Sequence, residues 1–242
     1  MNKILILLLY YKRPKIVLNA LNSLKNSTYS NWELCFIDDS GDEDFKKTLF
    51  NFGLPNEKIN YIPIYDSTEI KEKNGGVRIG EYMNKSIRNS NAEIAIMLCD
   101  DDALDHRYLE NLNSYFITNP NIPHCYSKLM FFNPELETYL DSKKEAYQNN
   151  FPSEYNLNRH NTPINPFCKL DASQVAWKTK CNKDGGVWFD ELRLMNHDAD
   201  FYAKLHRVYG NCHPTNFIGQ HKGVSENQLG NRVRMKKKPF EL

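Results

Sequence analysis

The sequence predicts an α/β fold with a Rossmann-like, mostly parallel central sheet flanked by helices. Two observations lead to this prediction. Apolar runs alternate with segments of helical periodicity over about 120 residues, which is typical of right-handed β-α-β crossovers. The first predicted strand, residues 3–10, is continuously apolar from Ile4 to Tyr10, as expected of a strand that is covered on both faces.

The pattern of apolar residues and turn residues places the elements along the chain. The predicted strands cover residues 3–10, 32–39, 59–65, 92–98 and 124–135. The predicted helices cover residues 15–26, 43–52, 104–119, 171–181 and 198–210, and one more follows a Gly-rich loop within residues 74–90. Pro63 cannot donate to a strand ladder, so we expect the third strand at a sheet edge. Residues 136–167 are polar and predict loops.

Composition and charge leave the class of ligand open. The chain has 242 residues, a net charge of +1 and 40% hydrophobic residues. This is enough apolar sequence for a sizeable core, in one large domain or two small ones. The near-zero charge gives no overall preference for nucleic acid or for anionic membranes.

Cysteine spacing and the N-terminal run indicate the compartment. No two of the six cysteines have C-x-x-C spacing, so we interpret them as small buried side chains in a reducing compartment. The N-terminal apolar run is short and passes into Lys12, Arg13 and Pro14, so it predicts a strand and not a signal peptide. No segment has the ~18 apolar residues of a membrane helix. We therefore expect a cytoplasmic protein without stable membrane insertion.

Acidic residues follow two of the predicted strands. Asp38 and Asp39 end the second strand, and Asp100–Asp102 directly follow the fourth. Because open α/β sheets bind ligands beyond the carboxyl ends of their strands, we expect all five carboxylates on one rim. Oxygen ligands suit Mg²⁺ or Mn²⁺, which commonly link carboxylates to substrate phosphates. The alternative is that each acidic group only forms a turn or caps a helix.

A third acidic site lies at the start of the last predicted helix. Asp198 and Asp200 occupy its first turn, where they either carry chemistry or only complement the helix dipole.

Three segments, in this order, resemble the family 2 nucleotide-sugar glycosyltransferases, which have the GT-A fold. Residues 4–43 contain the loop "YYKRP" and end near Asp38 and Asp39. Residues 76–102, "GVRIGEYMNKSIRNSNAEIAIMLCDDD", are similar to the family's Gly/Arg-rich helix and its D-x-D motif. Residues 185–205, "GGVWFDELRLMNHDADFYAKL", are similar to its "FDE…[EH]D" segment.

The resemblance implies a role for each matching residue. The donor-binding residues would be Tyr10, Tyr11, Arg13, Asp39, Arg78, Asp100 and Asp101. Among these, the two tyrosines and Asp39 would hold the nucleobase, Arg78 would face the diphosphate, and Asp100 would bind the ribose.

The resemblance also implies a metal and a base. Mn²⁺ or Mg²⁺ would be held by Asp101 or Asp102, a choice that the sequence leaves open, and His221 would reach the metal or the diphosphate unless it is an ordinary surface or core histidine. Asp198 would be the general base of an inverting transfer. Cys99 stands where the family sometimes has an acid.

The acceptor side is defined less sharply. Trp177, Trp188 and His197 lie near the expected acceptor region, although core packing explains the two tryptophans equally well. We expect one catalytic domain over residues 1–218, with a nucleotide-binding half at 1–103 and an acceptor-binding half at 104–218. A basic tail at 219–242 would follow.

The resemblance predicts a metal-dependent inverting glycosyltransferase. It would move a sugar from a nucleoside-diphosphate sugar, with a UDP-sugar favoured, to an acceptor hydroxyl of a glycan or glycolipid in polysaccharide or glycoconjugate synthesis. One alternative acceptor is a hydroxymethylated DNA base, for which the basic residues between Arg232 and Lys238 are the support. Alternatives of another class are a nucleotidyltransferase and a non-catalytic sugar-nucleotide-binding protein.

Overall fold

The computed structural model describes residues 1–65, 78–133, 138–139, 162–167, 170–191 and 197–223. Within these ranges the strands are β1 Ile4–Tyr10, β2 Trp32–Asp38, β3 Ile59–Pro63, β4 Ile94–Cys99, β5 Ala103–Leu104, β6 His124–Asn133, β7 Thr138–Tyr139, β8 Val175–Lys178 and β9 His213–Gly223. The helices are α1 Val17–Lys25, α2 Glu43–Phe50, α3 Ile79–Asn89, α4 Tyr108–Thr118, α5 Lys180–Lys183 and α6 His197–Tyr209.

One sheet joins the described strands in the order β3-β2-β1-β4-β8-β6-β9-β5, and β7 pairs with β6. Strands β3, β2, β1 and β4 are parallel neighbours, as the alternation of strands and helices predicts. Beyond β4 the sheet is mixed, because β8 is antiparallel to both β4 and β6 while β9 is parallel to β6. The α/β prediction is confirmed, and the edge position of β3 agrees with its Pro63.

Strand β1 is buried on both faces because its side chains alternate between two hydrophobic cores. Ile4, Ile6 and Leu8 pack in one core with residues of α1 and α4. Leu5 and Leu7 pack in the other core with residues of α3 and α6. This double cover explains the unbroken apolar run of residues 4–10 and fixes the strand ends that form the site.

Residues 171–181 do not form the predicted helix. A turn of 3-10 helix at Ala172–Gln174 leads into β8, and the short α5 follows. Asp171 and Gln174 form a capping box, which is a helix-start signal in the sequence. The buried pairing of β8 with β4 ends that helix after one turn, so tertiary context overrides the local signal.

The predicted boundary between residues 218 and 219 is wrong, because it falls inside β9. The strand continues to Gly223 and is buried over much of its length. The loop at 74–77, most of the predicted loop region 136–167, and residues 224–242 with the basic cluster lie outside the described residues.

None of the described helices combines the length and the apolar character that crossing a membrane requires. The described cysteines, which are Cys35, Cys99, Cys125, Cys181 and Cys212, carry free thiols.

Candidate active site

The acidic residues meet at the carboxyl ends of three adjacent parallel strands. Tyr10, the last residue of β1, pairs with Asp38 of β2, and Leu9 pairs with Cys99 of β4. Asp39 and Asp100 therefore follow neighbouring strand ends on either side of β1. Between them lies the loop that follows β1, so the structure brings together the residues that the sequence placed on one rim.

Asp38 organises the turn after β2. Its carboxylate accepts hydrogen bonds from the backbone N–H groups of Ser40, Gly41 and Asp42 and from the Ser40 hydroxyl, at 2.6–3.0 Å. The Tyr61 hydroxyl donates a further bond of 2.6 Å. These five donors satisfy the carboxylate, so its role here is that of a turn residue. Asp39 is also buried, and its N–H bonds to the Tyr10 carbonyl at 2.9 Å.

The two tyrosines after β1 have different environments. The Tyr10 ring is fully buried and stacks on Phe45 with a centroid distance of 4.6 Å. No face of that ring is open to a nucleobase, so the predicted base contact by Tyr10 is wrong for a packing reason. Tyr11 is partly exposed at the rim, where its N–H donates to Asp100 Oδ2 at 3.1 Å. Of the pair, only Tyr11 remains a donor-binding candidate.

Arg13 turns back onto the acidic residues after β4. Its Nε donates to Asp100 Oδ2 at 3.2 Å, its Nη2 donates to Asp100 Oδ1, and its Nη1 donates to Asp101 Oδ2 at 3.0 Å. Lys12 precedes it with φ = 50°, a left-handed conformation that a non-glycine residue adopts only where its surroundings enforce it. The loop after β1 thus places the Arg13 guanidinium against Asp100 and Asp101.

The Arg13 guanidinium offsets the cost of burying the Asp100 carboxylate. Burial raises the pKa of Asp100 to about 6, and the neighbouring Asp101 charge adds to the rise. Arg13 and the Tyr11 N–H act in the opposite direction, because they favour the ionised carboxylate.

Asp102 has a different counter-ion. Its carboxylate is fully buried and accepts from the Gly223 N–H at 3.0 Å, from the Ser173 hydroxyl, and from Lys222 Nζ at 3.2 Å. Burial raises the pKa of Asp102, and the Lys222 ammonium opposes that rise. Lys222 Nζ also lies 3.1 Å from Asp171 Oδ1. Asp102 is therefore held in a closed polar network.

One cluster among the described residues has the side-chain types and spacing to hold a metal ion, and it is called the metal-ligating cluster below. The Sγ atom of Cys99 and carboxylate oxygens of Asp101 and Asp102 lie within 4.8 Å of one another. Burial raises the pKa of the Cys99 thiol well above its ordinary value, and a protonated thiol is a poor ligand. The three bonds to Asp102 also leave it few free lone pairs. Asp101 is therefore the member of this cluster whose chemistry best suits a hard divalent cation.

His221 and Arg78 have partners outside that cluster. His221 pairs with Ala103 in the β5–β9 ladder, and its Nε2 lies 3.7 Å from Asp105 Oδ2. Arg78 stands at the start of α3, where its guanidinium bonds to Glu81 at 2.6 and 2.7 Å. In this structure neither side chain is among the ligands of the cluster.

Asp198 lies in the first turn of α6 and is partly buried. Burial raises the pKa of Asp198 to about 6, and the Asp171 carboxylate raises it further. The N–H groups of Asp198 and Ala199 and the Lys222 ammonium lower it. A carboxylate with a pKa near neutrality and a position beside the acidic rim is suited to general-base chemistry.

The residues predicted to contact the acceptor lie in different environments. Trp177 is fully buried, packs edge-on against Phe201 at 5.0 Å, and donates from Nε1 to Asn182 at 2.9 Å. It has no ring face for a sugar, so its predicted acceptor contact is wrong.

The Trp188 ring lies 4.6 Å from the guanidinium of Arg88, in the last turn of α3. This is the end of α3 away from Arg78.

His197 begins α6 next to Asp198, and its side chain lies outside the described residues.

Sequence reasoning missed Lys222, Asp171 and Ser173. The capping-box pattern Asp171-x-x-Gln174 was a usable signal for a turn at that place. No local signal marks Lys222, because it becomes a counter-ion only when β9 lies beside the residues that follow β4.

The fold and the rim together define an α/β domain of the GT-A class. A crystal structure of S. aureus TarS 1–349 superposes with a TM-score of 0.67 at 14% identity, over 96% of this chain and 64% of that chain. The complex of TarS 1–349 with UDP-GlcNAc gives a TM-score of 0.68 at 15% identity, over 93% and 60% of the two chains. At these identities the likeness shows the fold alone.

Sequence comparison identifies the family. The profile of "Glycosyl transferase family 2" matches residues 5–170, so the chain belongs to this family, as the resemblance predicted. The similar segment at residues 185–205 lies beyond the matched range. Protein CgeD of Bacillus subtilis (strain 168) is 22% identical over 209 residues, covering 84% of this chain and 46% of that protein. The chain thus spans about half the length of this curated relative and about three fifths of TarS 1–349.

Proposed function

We propose that this chain is an inverting glycosyltransferase that uses a nucleoside-diphosphate sugar and a divalent cation. The observation that supports this most is the placement of two kinds of carboxylate around one rim. Asp101 lies at the end of β4 in the metal-ligating cluster, and Asp198, whose pKa is raised to about 6, lies beside the rim on α6. Family membership supports the same assignment.

On the donor side, Tyr11 and Asp39 would contact the nucleobase and Asp101 would hold Mn²⁺ or Mg²⁺. When bound, the cation supplies neutralisation of the diphosphate charge, which makes the nucleoside diphosphate a better leaving group. Arg13 lies on the same carboxylates, within reach of a diphosphate that approaches them. UDP-sugars are the favoured donors, and the UDP-GlcNAc complex of the structural relative supports testing them first.

On the acceptor side, Asp198 would take the proton of the acceptor hydroxyl as that oxygen attacks the anomeric carbon. The attack comes from the face opposite the leaving diphosphate, so the anomeric configuration inverts. A positioned carboxylate base typically contributes about 10²–10⁴-fold to such a step. We propose a glycan or glycolipid hydroxyl as the acceptor. The DNA alternative depended on basic residues outside the described part of the chain, and no observation favours it.

A thermal-shift screen tests the donor proposal. The chain is mixed with UDP-, GDP-, dTDP- and CMP-sugars, each with and without Mn²⁺. A ligand at 100 times its Kd stabilises a protein by about 2.7 kcal/mol, which gives a measurable rise in Tm. We expect one nucleotide class to raise Tm, and to do so more strongly with Mn²⁺. No rise with any donor would contradict the proposal.

A further inference from the structure

We propose that Lys222 is a positioning residue for both halves of the site, because its ammonium group joins the acidic turn after β4 to the segment that faces Asp198. This inference rests on the proposed function, from which Asp198 takes its role as a base. Lys222 itself contacts neither donor nor acceptor in this scheme.

The geometry around Lys222 is that of an internal counter-ion. The residue is only 8% exposed, and its Nζ lies 3.2 Å from Asp102 Oδ2 and 3.1 Å from Asp171 Oδ1. Burial alone would lower the pKa of the ammonium, but the two carboxylates raise it well above its ordinary value. Lys222 is therefore held between the two carboxylates that it pairs with.

Lys222 and its neighbours hold the acidic turn in place. Besides the ammonium, Asp102 binds the Gly223 N–H and the Ser173 hydroxyl, so its partners come from β9 and from the 3-10 turn. A Cβ atom on Gly223 would lie 1.8 Å from the Asp101 carbonyl oxygen, so only glycine allows β9 to approach this closely. Asp101 is thus positioned by a network that contains Lys222.

The same ammonium acts on the other side of the site. Among the described residues, Asp171 and Lys222 are the charged side chains that act on Asp198, and Asp198 acts in turn on the phenol of Tyr202, whose hydroxyl donates to the Ala172 carbonyl at 2.9 Å. Asp171 disfavours an ionised Asp198, while Lys222 favours it and also neutralises Asp171 through their ion pair. Lys222 therefore favours the ionised form of Asp198, which is the form that acts as a base.

The test is a carboxyl-carbon NMR titration of the full chain labelled with ¹³C-aspartate. Loss of one resonance in Asp198→Asn assigns the Asp198 signal. We expect the pKa of Asp198 to rise in Lys222→Met, to fall in Asp171→Asn, and to stay near the wild-type value in Lys222→Arg. Shifts in opposite directions are the signature of the proposal, because general loosening of the structure would move both in the same direction. Shifts of the same sign, or no shift in either variant, would overturn it.

Separate controls distinguish a variant that fails to fold from a failure of the proposed function. Asp171→Asn keeps the Lys222–Asp102 ion pair, so it reports even if Lys222→Met does not fold, and an unchanged Asp198 pKa in Asp171→Asn then overturns the inference. Binding of UDP-GlcNAc with Mn²⁺ is measured in the wild type by calorimetry. If UDP-GlcNAc binds but the pKa of Asp198 is unshifted in the variants, the inference about Lys222 is rejected and the proposed function is retained. Shifted pKa values without binding of any nucleotide sugar support the charge relationship and contradict the proposed function.

Discussion

Arg13 and Asp101 form an ion pair in which Nη1 of the guanidinium lies 3.0 Å from Oδ2 of the carboxylate. The same guanidinium holds both oxygens of Asp100. Asp101 is the carboxylate that we propose as the metal ligand, so a side chain of the same charge sign as the metal occupies its neighbourhood. Two unit charges at about 4 Å repel by roughly 4 kcal/mol near a protein surface. Arg13 should therefore weaken cation binding whenever no diphosphate attracts it.

Arg13→Gln should bind Mn²⁺ more tightly than the wild type when no nucleotide is present. Removal of the competing charge predicts a decrease in Kd of at least about tenfold, because the repulsion of roughly 4 kcal/mol exceeds the 1.4 kcal/mol that corresponds to a factor of ten. Free Mn²⁺ is measured by electron paramagnetic resonance at fixed ionic strength. Lys15→Gln, an exposed change of equal charge in the same loop, is the control and should leave Kd unchanged. Weaker binding in Arg13→Gln would contradict this view of Arg13.

Asp101→Asn should mainly weaken donor binding, whereas Asp102→Asn should mainly lower the free energy of unfolding. Asp101→Asn should reduce Mn²⁺-dependent donor binding by at least tenfold while the free energy of unfolding changes little. Asp102→Asn should lower that free energy by about 3 kcal/mol, because it leaves the Lys222 ammonium, which is more deeply buried than the Arg13 guanidinium, with one carboxylate in place of two. Urea unfolding and calorimetric titration of UDP measure the two effects. An equal loss of stability in both variants would remove the distinction between the two acids.

Asp198→Asn should abolish transfer and leave donor binding near the wild-type level. Loss of a general base predicts a decrease in kcat of about 10²–10⁴-fold. Asp200→Asn, two residues along the same helix, is the matched control and should retain most of the activity. In the wild type, kcat/KM should rise with pH through about 6, because the base must be ionised. Transfer that persists in Asp198→Asn would place the base elsewhere.

The same variant should be more stable than the wild type at pH 8. The folded-state pKa of Asp198 is raised from 3.8 to about 6, so its stabilising contribution is full below the unfolded value and is lost as pH rises through about 6. Asparagine does not ionise and escapes this loss, which amounts to at most about 3 kcal/mol for a shift of two units. Urea unfolding at pH 8 and pH 5 should show a gain that shrinks at the lower pH. A variant that is less stable at pH 8 would contradict the raised pKa.

Trp177→Ala should destabilise the chain without a specific effect on the acceptor. The ring is fully buried, and removal of a buried aromatic side chain typically costs about 3–5 kcal/mol. Thermal unfolding measures the loss, and the acceptor KM of the folded fraction should match the wild type. A changed KM with unchanged stability would restore the acceptor role that the sequence suggested.

The first half of the fold was predictable because its signals are local. Unbroken apolar runs such as residues 4–10 identify strands covered on both faces, and the acids after Asp38 and Cys99 mark where those strands end. The second half was less predictable because its elements depend on partners distant in sequence. Residues 171–181 carry a helix-start signal, yet β8 forms there because β4 and β6 provide ladders on both sides.

The acids of the site were predictable and their counter-ions were not. Asp100, Asp101 and Asp198 stand in recognisable patterns, whereas Lys222 lies in a strand with no local motif and acquires its role only through the β5–β9 pairing. The positions of Tyr10 and Trp177 in the core were also not predictable, because periodicity alone does not separate an aromatic ring in the core from one that faces a ligand.

The most direct test of the account is the affinity of UDP for the wild type, Asp101→Asn and Asp198→Asn, each measured by calorimetry with and without Mn²⁺. We expect Mn²⁺ to tighten UDP binding in the wild type and in Asp198→Asn by at least tenfold, and to have no effect in Asp101→Asn. This result would place the cation at the end of β4 and separate it from the base on α6. Equal affinity with and without Mn²⁺ in all three proteins would contradict the account.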